Sequence, residues 1–240
     1  MIFLLLFIFG LIGWFFSTIA AGGAATLLIP IITFLIGAQM VAPIISIAGL
    51  FANPSRAILF RKNINWLVII YLLPGSIIGS IIGAWSLTHM NIEIIQIMLG
   101  LFLVTYVLQE IFGQMRLTIK MRLVWFFPLG LIVSFLSGLI GATGPIQNPF
   151  MLNYGLHKEQ LVGTKAINSL VMQLTKITSY GAFGALSLEV INYGVILGIG
   201  AVTGVFLARS YLVKIDALKF NQYTLILMTI SGILMLYKSI

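Results

Sequence analysis

The sequence predicts an all-α polytopic membrane protein made of two inverted repeats, each a broken-helix hairpin followed by three transmembrane helices. Three observations predict it. Sixty per cent of the 240 residues are hydrophobic and 8% are charged, against about 25% charged in a soluble domain, so the chain lacks the polar residues to cover a water-facing surface. Apolar runs long enough to span a bilayer, about 20 residues each, recur along it. Residues also recur in register: Gly10, Ser17, Pro30, Asn53, Arg56, Gly75 and Gly79 reappear as Gly130, Ser137, Pro149, Gln173, Lys176, Gly200 and Gly204. The offset is about 120 residues at first and about 125 after a short insertion.

The apolar runs of the first half fall near 2–21, 24–36, 40–60, 66–88 and 92–113. Those of the second half fall near 123–141, 145–155, 159–181, 189–212 and 218–237. The run from 2 has no basic residue before it, so it reads as a first membrane helix kept in the mature chain rather than a signal peptide. The 24–36 and 145–155 runs are too short to cross unaided at about 1.5 Å per residue. Each follows a glycine break, Gly22-Gly23 in one half and Gly141-Ala142-Thr143-Gly144 in the other. Each pair is therefore expected to form a hairpin whose irregular turn lies inside the protein, because non-helical backbone at membrane depth needs protein or a cavity around it. The whole of 1–240 reads as a single transmembrane transporter domain, with repeat 1 at about 1–114 and repeat 2 at about 123–240.

The charges orient the spans. Arg56, Arg61, Lys62, Arg116, Lys120, Arg122, Lys158, Arg209, Lys214 and Lys219 all fall on one side if each hairpin returns to its own face. Glu93 and Glu189 fall on the other, with Lys176 and Lys238 toward that side. Cytoplasmic loops carry the Lys/Arg excess, so both termini are expected outside the cell membrane. This also reads the net charge of +8 as loop bias and not as a nucleic-acid footprint. The two copies then face opposite ways, the pattern of secondary transporters whose substrate site lies where the repeats meet. Gly75, Gly79 and Gly83, and likewise Gly200, Gly204 and Ala208, are spaced by four, a spacing that lets helix backbones approach closely in lipid. Whether that contact is within one chain or between protomers of a homo-oligomer stays open at this point.

Helix starts carry unpaired N–H groups and about half a positive charge. Pro145 after Gly144 suits a first helical position. A small anion between the two hairpin turns would be held by backbone donors of Gly22, Gly23, Thr143 and Gly144; the alternative is that these glycines only bend helices. Lys165 is the most unusual side chain, placed about seven residues inside its helix, where ionisable groups are costly and face a cavity or a partner. Asn168 shares its face, and Asn53 is a further candidate ligand or an inter-helix hydrogen-bonding group. Arg56 and Lys176 are expected to snorkel toward the interfaces.

Glu93, Glu110, Glu159, Glu189 and Asp216 lie at or near segment ends, which weighs against a carboxylate proton relay or a metal-cation path. His89 and His157 are isolated near the interfaces, and the chain has no cysteine, so no metal site is expected. No nucleophile–base set, zinc motif or phosphate loop is visible, and the chain reads as a non-enzyme. Coupling to a proton or cation, a channel for another small solute, and a non-transporting membrane scaffold remain the alternatives to an anion transporter.

Gly22-Gly23 through Pro30-Ile31-Ile32 with Gly37, then Gly138-Leu139-Ile140-Gly141-Ala142-Thr143-Gly144 with Pro149, then Val162-Gly163-Thr164-Lys165 leading to the Gly200/Gly204 helix, resemble the sulfite exporter TauE/SafE family, also called the toluene-sulfonate uptake permease family. The resemblance runs over nearly the whole chain. It departs from the family at Ala24, where a third glycine is usual, and at Lys165, where a serine follows Gly-Thr. It implies transport of sulfite, sulfonates or similar small anions through the lipid bilayer, with no bound cofactor.

Overall fold

The structure, a computed structural model, describes residues 1–19, 24–112, 121–141, 144–156 and 158–211. The expected segment at 218–237, most of the central loop and the turns at 20–23 and 142–143 lie outside the described residues.

The described residues are helical throughout, with no strand among them. The helices are α1 (Ile2–Ile19), α2 (Ala24–Leu35), α3 (Ala38–Leu59), α4 (Trp66–His89), α5 (Ile92–Phe112), α6 (Phe126–Ile140), α7 (Gly144–Tyr154), α8 (Lys158–Ala182) and α9 (Leu188–Tyr211). The two short helices stand where the sequence places them. Asn65 caps α4 by accepting from the Val68 N–H at 3.1 Å, and Ser187 caps α9 by accepting from Val190 N–H at 3.2 Å. Glu93, Glu159 and Glu189 occupy the first turns of α5, α8 and α9, where a carboxylate complements the helix dipole.

Side-chain registers fix the direction of each helix. A Cβ added at Gly75, Gly79 or Gly83 would strike the backbone carbonyls of Phe127, Leu131 and Phe135 in turn, so α4 and α6 run parallel with their backbones in contact. Gly200 and Gly204 meet the carbonyls of Phe7 and Leu11 in the same way, so α1 and α9 are parallel. Each contact of one pair is the repeat counterpart of a contact in the other. The small-residue stripes therefore join the two repeats inside one chain.

Gly194 lies against Ile47 and Gly198 against Phe51, which makes α3 parallel to α9. Ser134 bonds Met172, Ser137 bonds Lys176 and Gly138 bonds Tyr180, which makes α6 parallel to α8. Gly49 packs on Gln173 while Gly163 packs on Phe60, so α3 and α8 are antiparallel. Thus α1, α3 and α9 point one way, and α4, α6 and α8 the other. The counterparts α1/α6, α3/α8 and α4/α9 are each antiparallel, which is the inverted relation that the charges predict.

The second hairpin also returns to its own face. Tyr154, at the end of α7, stacks edge-on against Phe126 at the start of α6, with ring centroids 5.2 Å apart. The Asn153 side chain accepts from the Met121 N–H at 2.7 Å. As a result residues 61, 62, 122, 158 and 209, all Arg or Lys, gather at one end of the bundle, and Glu93 and Glu189 at the other.

Among the described residues four helical spans are long and apolar enough to cross a membrane: Ala38–Leu59, Trp66–His89, Leu123–Ile140 and Leu188–Ala208. The outer face of α4 exposes Ile70, Ile77, Ile78, Ile81 and Ile82, an apolar area that suits lipid and not water. Trp66 and Trp125 stand exposed at the parallel starts of α4 and α6, and Trp85 near the end of α4. Trp66 and Trp85 are nineteen residues apart, about 28 Å of helix, which matches a hydrocarbon layer of about 30 Å flanked by tryptophans.

A topology experiment follows from this packing. The chain has no cysteine, so single cysteines report cleanly. Cysteines beside Glu93 and Glu189 should be labelled by an impermeant maleimide on intact cells, and one at position 62 should not. Labelling of 62 and 189 from the same side would contradict the inversion.

Candidate functional site

Helix α8 falls below the hydropathy of the other spans because it wears its polar face inward. Lys165, Asn168, Gln173, Lys176 and Ser179 are all buried, while Leu174 is exposed. An isolated helix in lipid would turn the other way. Here α3 and α4 pack on α8, and α6 and α7 supply the partners that lipid cannot, Ser137 for Lys176 and Asn148 for Lys165. The inward stripe of Lys165, Asn168, Met172 and Lys176 follows the helical repeat; eleven residues make just over three whole turns, so Lys165 and Lys176 share one face. Sequence reasoning related them only loosely.

Lys165 is 8% exposed. Its Nζ donates to Asn148 Oδ1 at 2.5 Å, tying α8 to the short helix α7. The Arg56 guanidinium is near enough to act on it electrostatically. Asn168, one turn on, is fully buried, and both ends of its amide lack a hydrogen bond among the described residues. An unpaired buried polar group costs about 1–3 kcal/mol, so such a side chain marks either strain or a place for a polar ligand. Asn53 is buried on α3, three residues before Arg56. Gly144 is the first residue of α7. Gly22, Gly23 and Thr143 lie outside the described residues.

The expected snorkelling of Arg56 and Lys176 is corrected. Lys176 is 0% exposed, and its Nζ donates to Ser137 Oγ at 3.1 Å. Arg56 is half-buried and turns back onto α1. Its Nη2 donates to Ser17 Oγ at 3.0 Å and to Thr18 Oγ1 at 3.1 Å, and its Nε to Thr18 Oγ1 at 3.3 Å. The reason is the same in both places: the last turn of a broken helix brings hydroxyls, and the negative end of its dipole, alongside the cation. Ser17 and Ser137 were among the recurring residues, as were Arg56 and Lys176. A polar pair recurring at the repeat offset in so apolar a chain was the signal that could have found them. Asn148, between two prolines in a short helix, carried no such signal.

The second helix break is also positioned. Gly141 ends α6 with φ of 90°, a left-handed conformation that glycine adopts without penalty. A Cβ there would lie 3.0 Å from Ala42 Cα, so the break nestles against the first turns of α3. The Tyr180 hydroxyl donates to the Gly138 carbonyl at 2.6 Å, satisfying one of the acceptors that a helix end leaves open. Among the described residues no group of His, Cys, Asp or Glu could hold a metal ion.

The site is thus a seam lined by buried cations and amides, with Glu93, Glu159 and Glu189 at helix starts away from its centre. The family model described as sulfite exporter TauE/SafE matches residues 6–235. The chain belongs to the TauE/SafE family. No curated protein and no solved structure gives a significant match. The family is one of membrane transporters, so this TauE/SafE member is a multi-pass membrane protein of transport type.

Proposed function

We propose that this TauE/SafE family member carries a small sulfur oxyanion, such as sulfite or an organosulfonate, out of the cell by alternating access of the seam between its repeats. One observation carries the reading: α8 buries two lysines and an unpaired asparagine on a single inward stripe. Buried cations in a membrane helix mark a substrate or ion path, and their sign selects an anion. Lys165 supplies charge, Asn168 and Asn53 supply amide donors, and the backbone N–H groups of Gly22, Gly23, Thr143 and Gly144 are further donors at the helix starts. An inside-negative potential expels an anion by about 2.3 kcal/mol per charge per 100 mV, so uncoupled movement runs outward.

The test is flux of radiolabelled sulfite, sulfate and an organosulfonate into liposomes holding purified protein, with membrane potential imposed. Flux of sulfite or the sulfonate that follows the sign of the potential is expected. Flux that needs a proton or sodium gradient would replace export by coupled uptake, and absence of flux for all three anions would remove the reading. A second expectation concerns the start of α7. Gly144→Trp should lower sulfite binding at least tenfold, while size-exclusion yield in detergent falls by less than half. Unchanged binding would take the helix start out of the site.

A further inference from the structure

We propose that the chain holds two anion stations related by the inverted repeat, and that Lys176 with Ser137 is the second of them. The inference rests on the anion-transport reading above and extends it by giving Lys176, which counts there only as buried charge, a binding role of its own.

The two stations repeat each other residue by residue. Arg56 of α3 bonds Ser17 in the last turn of α1. Lys176 of α8 bonds Ser137 in the last turn of α6. Ser17 and Ser137 are 120 residues apart, and so are Arg56 and Lys176. The cation differs between the copies, yet its charge and its hydroxyl partner are kept. Because the copies are antiparallel, the stations lie toward opposite faces of the membrane. The registers of Gly49 on Gln173 and of Phe60 on Gly163 put Arg56 level with about residue 167 of α8. Lys176 is nine residues further, or about 14 Å along the bundle. One small oxyanion cannot touch both.

Packing alone leaves the second station incomplete. An ammonium has three donors. Lys176 is fully buried, and among the described residues its one hydrogen bond is the one to Ser137. No carboxylate among the described residues pairs with it. Charge buried in this way needs a partner, and the end of the α6 dipole supplies only part of one. The Ser137 hydroxyl accepts from Lys176 and so keeps its own proton free to donate. Two ammonium N–H groups and one O–H are therefore available to a sulfite or sulfonate oxygen atom. Ser17 is arranged alike beside Arg56, since it too accepts from the cation. Level with the first station, on the stripe that leads to Lys176, α8 carries Asn168, whose amide has no hydrogen bond among the described residues. An anion released from Arg56 and Lys165 at one face thus meets a polar relay and then Lys176 toward the other.

A carrier with one central site shows the same binding defect from both faces when that site is damaged. Two stations show a one-sided defect. The experiment measures [35S]sulfite exchange in proteoliposomes of defined orientation, with the KM taken separately from each face. Lys176→Gln should raise the sulfite KM at least tenfold from the face where α8 ends, at Ala182, and less than threefold from the other. Lys176→Arg should stay within threefold from both. Arg56→Gln should show the opposite sidedness. Ser137→Ala removes one hydroxyl, and should shift the KM three- to tenfold on the Lys176 side; it carries the test if Lys176→Gln does not fold.

Equal KM shifts from both faces, or a fall in Vmax alone with both KM values kept, would make Lys176 a packing residue and overturn the second station, leaving anion transport standing. Wild-type protein that neither binds nor exchanges sulfite, sulfate or an organosulfonate would overturn the station and the transport reading together.

Discussion

Replacing Lys165 by alanine should reduce sulfite affinity by between ten- and a hundredfold while the folded protein still reaches the membrane. The argument begins with burial. Lys165 is 8% exposed in a helix that packs on α3 and α4, so its ammonium acts in a poorly polar medium where a charge is felt strongly. A hydrogen bond to a charged group contributes about 1.5–3 kcal/mol, and each 1.4 kcal/mol is about tenfold in binding. Alanine also releases Asn148, the Lys165 partner on α7, which loosens the short helix that begins at Gly144. Both effects weaken an anion held at that seam. Equilibrium binding of [35S]sulfite to purified protein measures the loss. Lys165→Arg, which keeps the charge but not the compact ammonium, should fall between wild type and alanine. If Lys165→Ala binds and transports as wild type does, the lysine is a tie between α7 and α8, and the site must be sought elsewhere on the stripe.

Leucine at Gly79 or at Gly204 should cost the fold more than any substitution in the seam. In both places the backbone of the facing helix occupies the volume that a Cβ needs: Leu131 carbonyl opposite Gly79, Leu11 carbonyl opposite Gly204. Backbone cannot rotate aside as a side chain does, so α4 must separate from α6, or α9 from α1. Overpacking of this kind costs about 3 kcal/mol, or about 10 °C of melting temperature at this chain length. In lipid the loss is felt fully, because close packing and not water exclusion holds membrane helices together. Thermal unfolding in detergent checks it. Gly181→Ala is the control, since a Cβ there meets only Leu186 Cδ1, at 3.6 Å, and should leave the melting temperature nearly unchanged. Leucine variants that melt with wild type would show that these two contacts do not hold the repeats together.

The two mutants also probe different contributions to one architecture. Gly79 and Gly204 belong to the pairs α4/α6 and α1/α9, each of which joins one repeat to the other. Lys165 and Lys176 belong to α8, which runs antiparallel to α3 between those pairs. Rocking the hairpin helices against the rest would slide Ser137 past Lys176 and Ser17 past Arg56, so the cation–hydroxyl contacts lie where such a motion would be felt. The Lys165–Asn148 bond lies on the same boundary, between α8 and the hairpin.

Much of this architecture could be read from the chain alone. Apolar run length located the described helices to within a few residues: 24–36 became Ala24–Leu35, and 145–155 became Gly144–Tyr154. The glycine breaks, the repeat at 120 and 125 residues and the one-sided basic loops foretold two inverted copies. These are local or additive properties. Helix length against bilayer thickness, the backbone freedom at a glycine pair and the sign of a loop charge do not depend on what lies beside them.

What only the tertiary structure decided is where each polar side chain points. A lysine near the end of a lone helix escapes to the interface, and that rule made Lys176 and Arg56 look like anchors. The arrival of Ser137 and Ser17, each more than 35 residues away in sequence, reversed it, because a buried cation is tolerable only when a particular neighbouring helix brings an acceptor to it. Asn148 became a partner of Lys165 for the same reason. The rotation of α8 about its own axis is set by α3, α4 and α6 together, and no spacing within α8 encodes it. The sequence by itself therefore determined the place, length and direction of the described helices, and the packing between them chose which of the few charges face inward.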